Sequence, residues 1–255
     1  MVLLELRGVT KYFGGLAAVS DFDMDVNEGE IRALIGPNGA GKTTMYNLIT
    51  GVYPVTEGKI SYNGQDITGL TPHQIAAKGL VRTWQPTSIL FGDHTVLAGI
   101  MVARHLHAGM GSVTKFLGAA RRVEEENRKK CLELIEFFGL TQFKDELAIN
   151  LPHGHQRALG VALAMATEPK LLLLDEPVTG MNPVETEQFM GVIRNVRDSG
   201  ITVLLVEHDM KAVMGISDQI TVLSFGKKLA EGTPKEIQAN KEVVEAYLGA
   251  EELAA

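Results

Sequence analysis

The sequence predicts an α/β protein: a parallel sheet with helices, an antiparallel β subdomain at the N-terminus and a helical subdomain inserted midway. Three observations carry that prediction. The glycine-rich run Gly36-Pro37-Asn38-Gly39-Ala40-Gly41-Lys42-Thr43-Thr44 lies between a strand pattern and a helix pattern. Two short apolar runs, Leu171 to Leu174 and Val203 to Val206, end abruptly in polar residues, as buried parallel strands do at a sheet edge. From about Phe91 to Asn150 the pattern turns mostly helical.

Each element follows in chain order. The opening reads as β structure, with Phe22, Met24 and Val26 alternating against Asp23 and Asp25. Asn27-Glu28-Gly29 then turns the chain into the short apolar strand Ile31 to Ile35. Met45, Leu48 and Ile49 recur at helical spacing after the glycine-rich run, and Gly51 stops that helix. Lys59 to Tyr62 followed by Asn63-Gly64 signals a hairpin. Thr71, Pro72 and Gln74 supply an N-cap, a proline at N1 and a glutamine at N3 for a short helix. The spacing next predicts a helix over 121–138. There Glu124, Glu125 and Glu126 precede Arg128, Lys129 and Lys130 by four residues, and Leu132, Leu134, Ile135 and Phe138 form an apolar stripe. Residues 103–120 show no clear period and read as loop or short helix. The α/β rhythm resumes with a helix over 156–166, a strand over 170–174, a helix over 183–197, a strand over 201–206 and a helix over 210–216. A hairpin over 221–225 and 228–230 turns at Gly226-Lys227, and Thr233 to Glu236 is a capping box opening one helix that runs to about Leu248. A single domain over 1–255 is expected: an α/β core around the glycine-rich run with the β subdomain (1–90 and 151–235), the helical subdomain (91–150), and a C-terminal helix and tail (236–255).

The chemistry starts at the glycine-rich run, which fits G-x-x-x-x-G-K-[S/T] and marks the core of a P-loop NTPase. Glycines let the backbone wrap a polyphosphate, whose charge the exposed N–H groups and the helix N-terminus stabilise. Lys42 then reaches the β- and γ-phosphates, and the Thr43 hydroxyl ligates Mg²⁺. The run Leu171 to Leu174 delivers Asp175 and Glu176 to the carboxyl edge of the sheet, where ligands bind. Asp175 is suited to holding Mg²⁺ and Glu176 to orienting and polarising the attacking water. His208, just beyond Val203 to Val206, is placed at the same edge to donate to the γ-phosphate.

Bulk properties narrow the setting. The chain has 255 residues, 45% of them hydrophobic, and its single cysteine, Cys131, allows no internal disulfide and fits a reducing compartment. No apolar run reaches the roughly 18 residues of a membrane span. Glu5 and Arg7 come too early for a signal peptide. A net charge of −7 argues against a nucleic-acid partner and against membrane binding through a polybasic face. Attachment to a membrane is expected to go through a protein.

The order of these features resembles the nucleotide-binding subunit of ABC transporters: the P-loop, Gln85 in Val81 to Gln85, a helical insertion, Leu151 to Arg157, Asp175-Glu176, and His208. Within that superfamily it looks most like the ATPase subunits of branched-chain amino acid importers, through Arg82 to Gln85, Thr179 to Pro183, Glu207 to Met210, Val213 to Asp218 and Ala246 to Gly249. The resemblance implies ATP and Mg²⁺ as ligands. It implies Phe13, or its neighbour Tyr12, stacking on adenine, and Gln85 sensing γ-phosphate and Mg²⁺. It implies that Leu151, His153, Gly154, His155 and Gln156 stand where a signature faces the nucleotide of a second ATPase subunit, the same chain or a paralogue. Two integral membrane permease subunits, an indirectly associated substrate-binding protein and a place at the cytoplasmic face of the membrane follow from the same likeness. The signature departs from Leu-Ser-Gly-Gly-Gln: Pro152 brings neither hydroxyl nor N–H, so Gly154, the helix N-terminus and the two histidines are left as donors. Two other readings are a nucleic-acid-associated ABC ATPase and a nucleotide-binding subunit with weak hydrolysis.

Overall fold

Alternating apolar and polar residues make the first 27 residues a hairpin of two long strands, β1 (Val2–Phe13) and β2 (Leu16–Asn27), paired antiparallel. Phe22, Met24 and Val26 are buried along β2 while Asp23 points outward. The structure, a computed structural model, describes residues 1–83, 92–104 and 119–252. β3 (Ile31–Ile35) is buried at every position and leads through the glycine-rich loop into α1 (Lys42–Ile49). β4 (Glu57–Tyr62) and β5 (Gln65–Asp66) turn at Asn63-Gly64, both at positive φ, and complete an antiparallel sheet in the order β2-β1-β4-β5. α2 (Pro72–Ala77) begins at the Thr71 capping box and is followed by β6 (Leu80–Arg82).

The helical stretch contains α3 (Val96–Arg104), α4 (Ala119–Phe137) and α5 (His153–Met165). The chain continues through β7 (Leu171–Asp175), α6 (Pro183–Asp198), β8 (Thr202–Val206), α7 (Met210–Ile216), β9 (Gln219–Ser224) and β10 (Lys227–Gly232). It closes with α8 (Pro234–Ala239) and α9 (Lys241–Glu252). The second sheet runs β10-β9-β3-β8-β7-β6, parallel except for its edge strand β10. Two compact units result. One holds Met1–Arg82, Lys170–Pro177 and Ile193–Ala255, with both sheets and the apolar core between α1 and the strands. The other holds Thr83–Pro169 and Val178–Val192.

Several expected boundaries shift for identifiable reasons. The C-terminal helix is two helices, because Asn240 is extended and its Oδ1 accepts from the N–H groups of Glu242 and Val243, capping α9. α5 starts at His153 rather than at residue 156, since its N-cap is Pro152, which carries none of the side-chain oxygens that announce a helix start. The α4 stripe includes Cys131, Ile135 and Phe138, all buried, whereas Leu132 is exposed. Steps of four and then three residues, from Cys131 to Ile135 to Phe138, select that face. The last hairpin turns at Phe225-Gly226, one residue earlier than expected, with both residues at positive φ.

Candidate functional site

The glycine-rich loop can close tightly only because of its glycines. A Cβ on Gly36 would stand 2.1 Å from the backbone oxygen of Leu223, so no side chain fits where β3 gives way to the loop. Gly41, at φ 109°, is the N-cap of α1 and supplies no side-chain acceptor to the first-turn N–H groups. Those donors and the positive end of α1 suit an anion. Lys42 Nζ donates to the carbonyls of Gly36 at 2.6 Å and Pro37 at 3.0 Å, folding the ammonium over the loop. Burial pushes the Lys42 ammonium below its ordinary range, opposed by the charges of Glu176 and then Asp175. Asn38, Gly39 and Thr43 are exposed, Pro37 and Thr44 half-buried, and Ala40 buried.

Parallel strands bring the acids to this end of the sheet. Asp175 ends β7, and Glu176 follows at φ 45° with its N–H donating to Val206 O of β8 at 2.8 Å. Arg82, at the end of β6, donates from Nη2 to Asp175 Oδ2 at 2.6 Å and from Nη1 to Asn47 Oδ1 at 2.7 Å. Its guanidinium lies 5.5 Å from the ring centroid of Tyr46. The Tyr46 hydroxyl donates to Leu204 O at 2.6 Å, with Leu174 O 3.1 Å away. His208 stands two residues past β8 with Nδ1 3.9 Å from Glu176 Oε1 and 3.8 Å from Glu207 Oε2. Glu207 is fully buried and accepts from the backbone N–H groups of His208 at 2.9 Å and Asp209 at 3.3 Å. Lys42, Asp175, Glu176 and His208 therefore meet at one sheet edge within one unit.

Phe13 is half exposed, edge-on to Tyr53 at 5.3 Å, with Lys11 Nζ 5.2 Å from its ring centroid. Gln85 falls outside the described residues. Leu151 to Gln156 belong to the second unit. There Leu151 is buried, and Gln156 Nε2 turns back to the carbonyls of Leu151 at 2.9 Å and Ile149 at 3.3 Å. His155 packs edge-on against Phe143 with centroids 4.6 Å apart. His153 is exposed and lies against Gly180, whose added Cβ would meet the ring at 3.3 Å. Gly154, between them in the first turn of α5, has open space at its Cα. Tyr46, Asn47 and Glu207 carried no role in the sequence reading. Their partners are backbone carbonyls, an arginine and amides brought near by the sheet, and no local spacing announces them.

Among the described residues no group of three His, Cys, Asp or Glu side chains is placed to hold a metal ion. The donors on offer, one hydroxyl at Thr43 and one carboxylate at Asp175, suit Mg²⁺, which keeps waters and takes phosphate oxygens instead of an all-protein cage. The donor set thus fits a metal that arrives with a nucleotide.

Comparisons with known proteins identify the family. The ABC transporter family matches residues 19–179, and the family described as branched-chain amino acid ATP-binding cassette transporter matches residues 227–252. The high-affinity branched-chain amino acid transport ATP-binding protein BraF of Pseudomonas aeruginosa is 44% identical over 254 residues, covering 97% of this chain and 98% of that protein. Its counterpart LivG of Escherichia coli is 43% identical over 250 residues, with 97% and 98% coverage. Among solved structures, the ADP conformation of MJ1267, an ATP-binding cassette of an ABC transporter, superposes with a TM-score of 0.86 at 29% identity, covering 98% of this chain and 99% of that one. The chain belongs to the ABC transporter family of ATP-binding proteins.

Proposed function

We propose that this member of the ABC transporter family binds and hydrolyses ATP with Mg²⁺ to power an importer of branched-chain or related amino acids. One observation carries the reading: Lys42, Asp175, Glu176 and His208 converge at the carboxyl edge of β3, β7 and β8, in a chain 44% identical to a branched-chain amino acid transport ATP-binding protein. The loop from Gly36 to Thr44 wraps the triphosphate, and Lys42 exchanges its two loop carbonyls for phosphate oxygens. Thr43, Asp175 and Gln85 would hold Mg²⁺, which would supply neutralising charge to the triphosphate. Glu176 orients a water and takes up its proton as the water oxygen bonds to the γ-phosphorus. The bond to the β–γ bridging oxygen breaks, giving ADP and inorganic phosphate, and His208 donates to the γ-phosphate oxygens throughout. Phe13 offers its face to adenine.

By role, the chain divides into a core over 1–90 and 151–235, a helical subdomain over 91–150 and a C-terminal segment over 236–255, a division that differs from the two compact units at residues 151–169 and 178–192. Two ATPase subunits, copies or paralogues, enclose two ATP molecules, each site completed by the other chain's His153, Gly154 and the N-terminus of α5. Two permease subunits anchor the pair at the cytoplasmic face, and a substrate-binding protein delivers the cargo. No described helix is long and apolar enough to cross a membrane, which fits attachment through partners. A subunit with weak hydrolysis is the second reading, favoured by Pro152 and by the packing of His155 on Phe143, which leave few donors in the signature. The test is to co-purify membrane subunits with the tagged chain, identify them, and measure uptake of leucine into vesicles. Uptake that Glu176→Gln abolishes supports the proposal, and permeases of an unrelated cargo class would overturn it.

A further inference from the structure

We propose that Arg82 is a positioning residue for metal binding: it fixes the Asp175 carboxylate and ties it, through Asn47, to the helix that follows the phosphate loop. The proposal rests on the reading of Asp175 as a holder of Mg²⁺. Both prongs of the guanidinium are used, Nη2 on Asp175 Oδ2 at 2.6 Å and Nη1 on Asn47 Oδ1 at 2.7 Å. The Arg82 side chain is only 8% exposed and its flat face is backed by Tyr46. Tyr46 is itself pinned through its hydroxyl to the backbone of β7 at Leu174 and of β8 at Leu204.

A carboxylate at a strand end rotates about two bonds, and holding one oxygen at 2.6 Å removes that freedom. The same arginine bonds a side chain of α1, the helix that carries Lys42 and Thr43 at its start. Arg82 therefore sets the spacing between the two metal-holding groups, Asp175 on β7 and Thr43 on α1. Lysine cannot replace it, because an ammonium lacks the planar fork that serves two acceptors at a fixed angle.

The test is nucleotide binding by the full-length protein, followed by calorimetry with ATP at fixed concentration and Mg²⁺ titrated. Arg82→Lys should raise the Mg²⁺ midpoint by about tenfold, the lower end of the loss seen when a residue supporting a metal ligand is changed. ATP affinity in excess chelator should stay unchanged. Asn47→Ala should shift the midpoint the same way by less. In an Asp175→Asn background the Arg82→Lys shift should vanish, since the two residues then act through one group. A mere loss of sheet stability would weaken binding equally with and without Mg²⁺, and that outcome overturns the proposal, as does an unchanged midpoint in Arg82→Lys. If Asp175→Asn alone leaves the midpoint unmoved, the reading of Asp175 fails; if it moves the midpoint and Arg82→Lys does not, only the role of Arg82 fails.

Discussion

Lys42 keeps its ammonium in a half-buried loop by donating to two carbonyls, which phosphate oxygens are proposed to displace. Lys42→Ala should cost roughly 1.5–3 kcal/mol per charge-assisted hydrogen bond lost, read as nucleotide affinity by calorimetry; unchanged affinity would remove the phosphate role from this loop. The sign of the pH effect follows from its environment. Burial lowers the Lys42 pKa in the free protein, and a bound polyphosphate raises it again. Binding therefore takes up a proton at alkaline pH: affinity is full below the free-state value and is lost as pH rises through the bound-state value. Calorimetry in buffers of different ionisation enthalpy should show that uptake in wild type and not in Lys42→Met. At the signature the two histidines separate. His155→Ala should lower stability by about 0.5–1.5 kcal/mol through the lost edge-on contact with Phe143. His153→Ala should spare stability and reduce ATP-dependent dimerisation. Unchanged dimerisation in both variants would mean that neither imidazole acts there.

At the level of elements, the β9–β10 hairpin is the least expected participant in the phosphate loop. Gly226, at φ 77°, donates its N–H to Ala40 O at 2.9 Å, and its own carbonyl accepts from Ser20 N at 2.8 Å. A Cβ there would stand 2.7 Å from Ala18 O and 3.0 Å from Ala18 C, both backbone atoms that cannot step aside. Gly226→Ala should cost about 1–3 kcal/mol of stability and also weaken nucleotide binding, since the hairpin tip buttresses the loop at Ala40. Denaturant unfolding and calorimetry on the same preparation check both halves, and a loss of stability with intact binding would separate the hairpin from the loop. Hairpin, strands and glycine loop were each legible in the chain, through Asn63-Gly64, the apolar runs and the P-loop spacing. Asn240 was not. It reads as one more polar residue in a helical stretch until its extended backbone and its two accepted N–H bonds show it capping a second helix.

For the whole molecule, hydrolysis is expected to limit how long two subunits stay closed on ATP. Glu176→Gln removes the carboxylate proposed to polarise water while keeping the group's size, so ATP should accumulate a dimer that wild type does not. Size-exclusion chromatography with ATP and Mg²⁺ reads this directly, and wild-type turnover by the variant would place the base at another residue. The net charge of −7 repels like copies, so raising ionic strength within the physiological range should help the dimer form.

The sequence alone determined the α/β class, the glycine-rich loop, the two acids where β7 ends and the histidine after β8. Each of these is a local pattern: a spacing of glycines, an apolar run that stops, a polar residue at its end. Family resemblance then supplied roles for Phe13, Gln85 and the signature that no spacing reveals. Only the tertiary structure decided what surrounds Asp175. Arg82, Asn47 and Tyr46 come from β6 and α1, 93 residues of chain separate Arg82 from its carboxylate, and sheet order alone makes β6 and β7 neighbours. It also decided that Glu207 is buried beneath the His208 backbone and that His155 is held by an aromatic ring. Periodicity records which face of an element is apolar; which elements become neighbours is set by how those faces pack together.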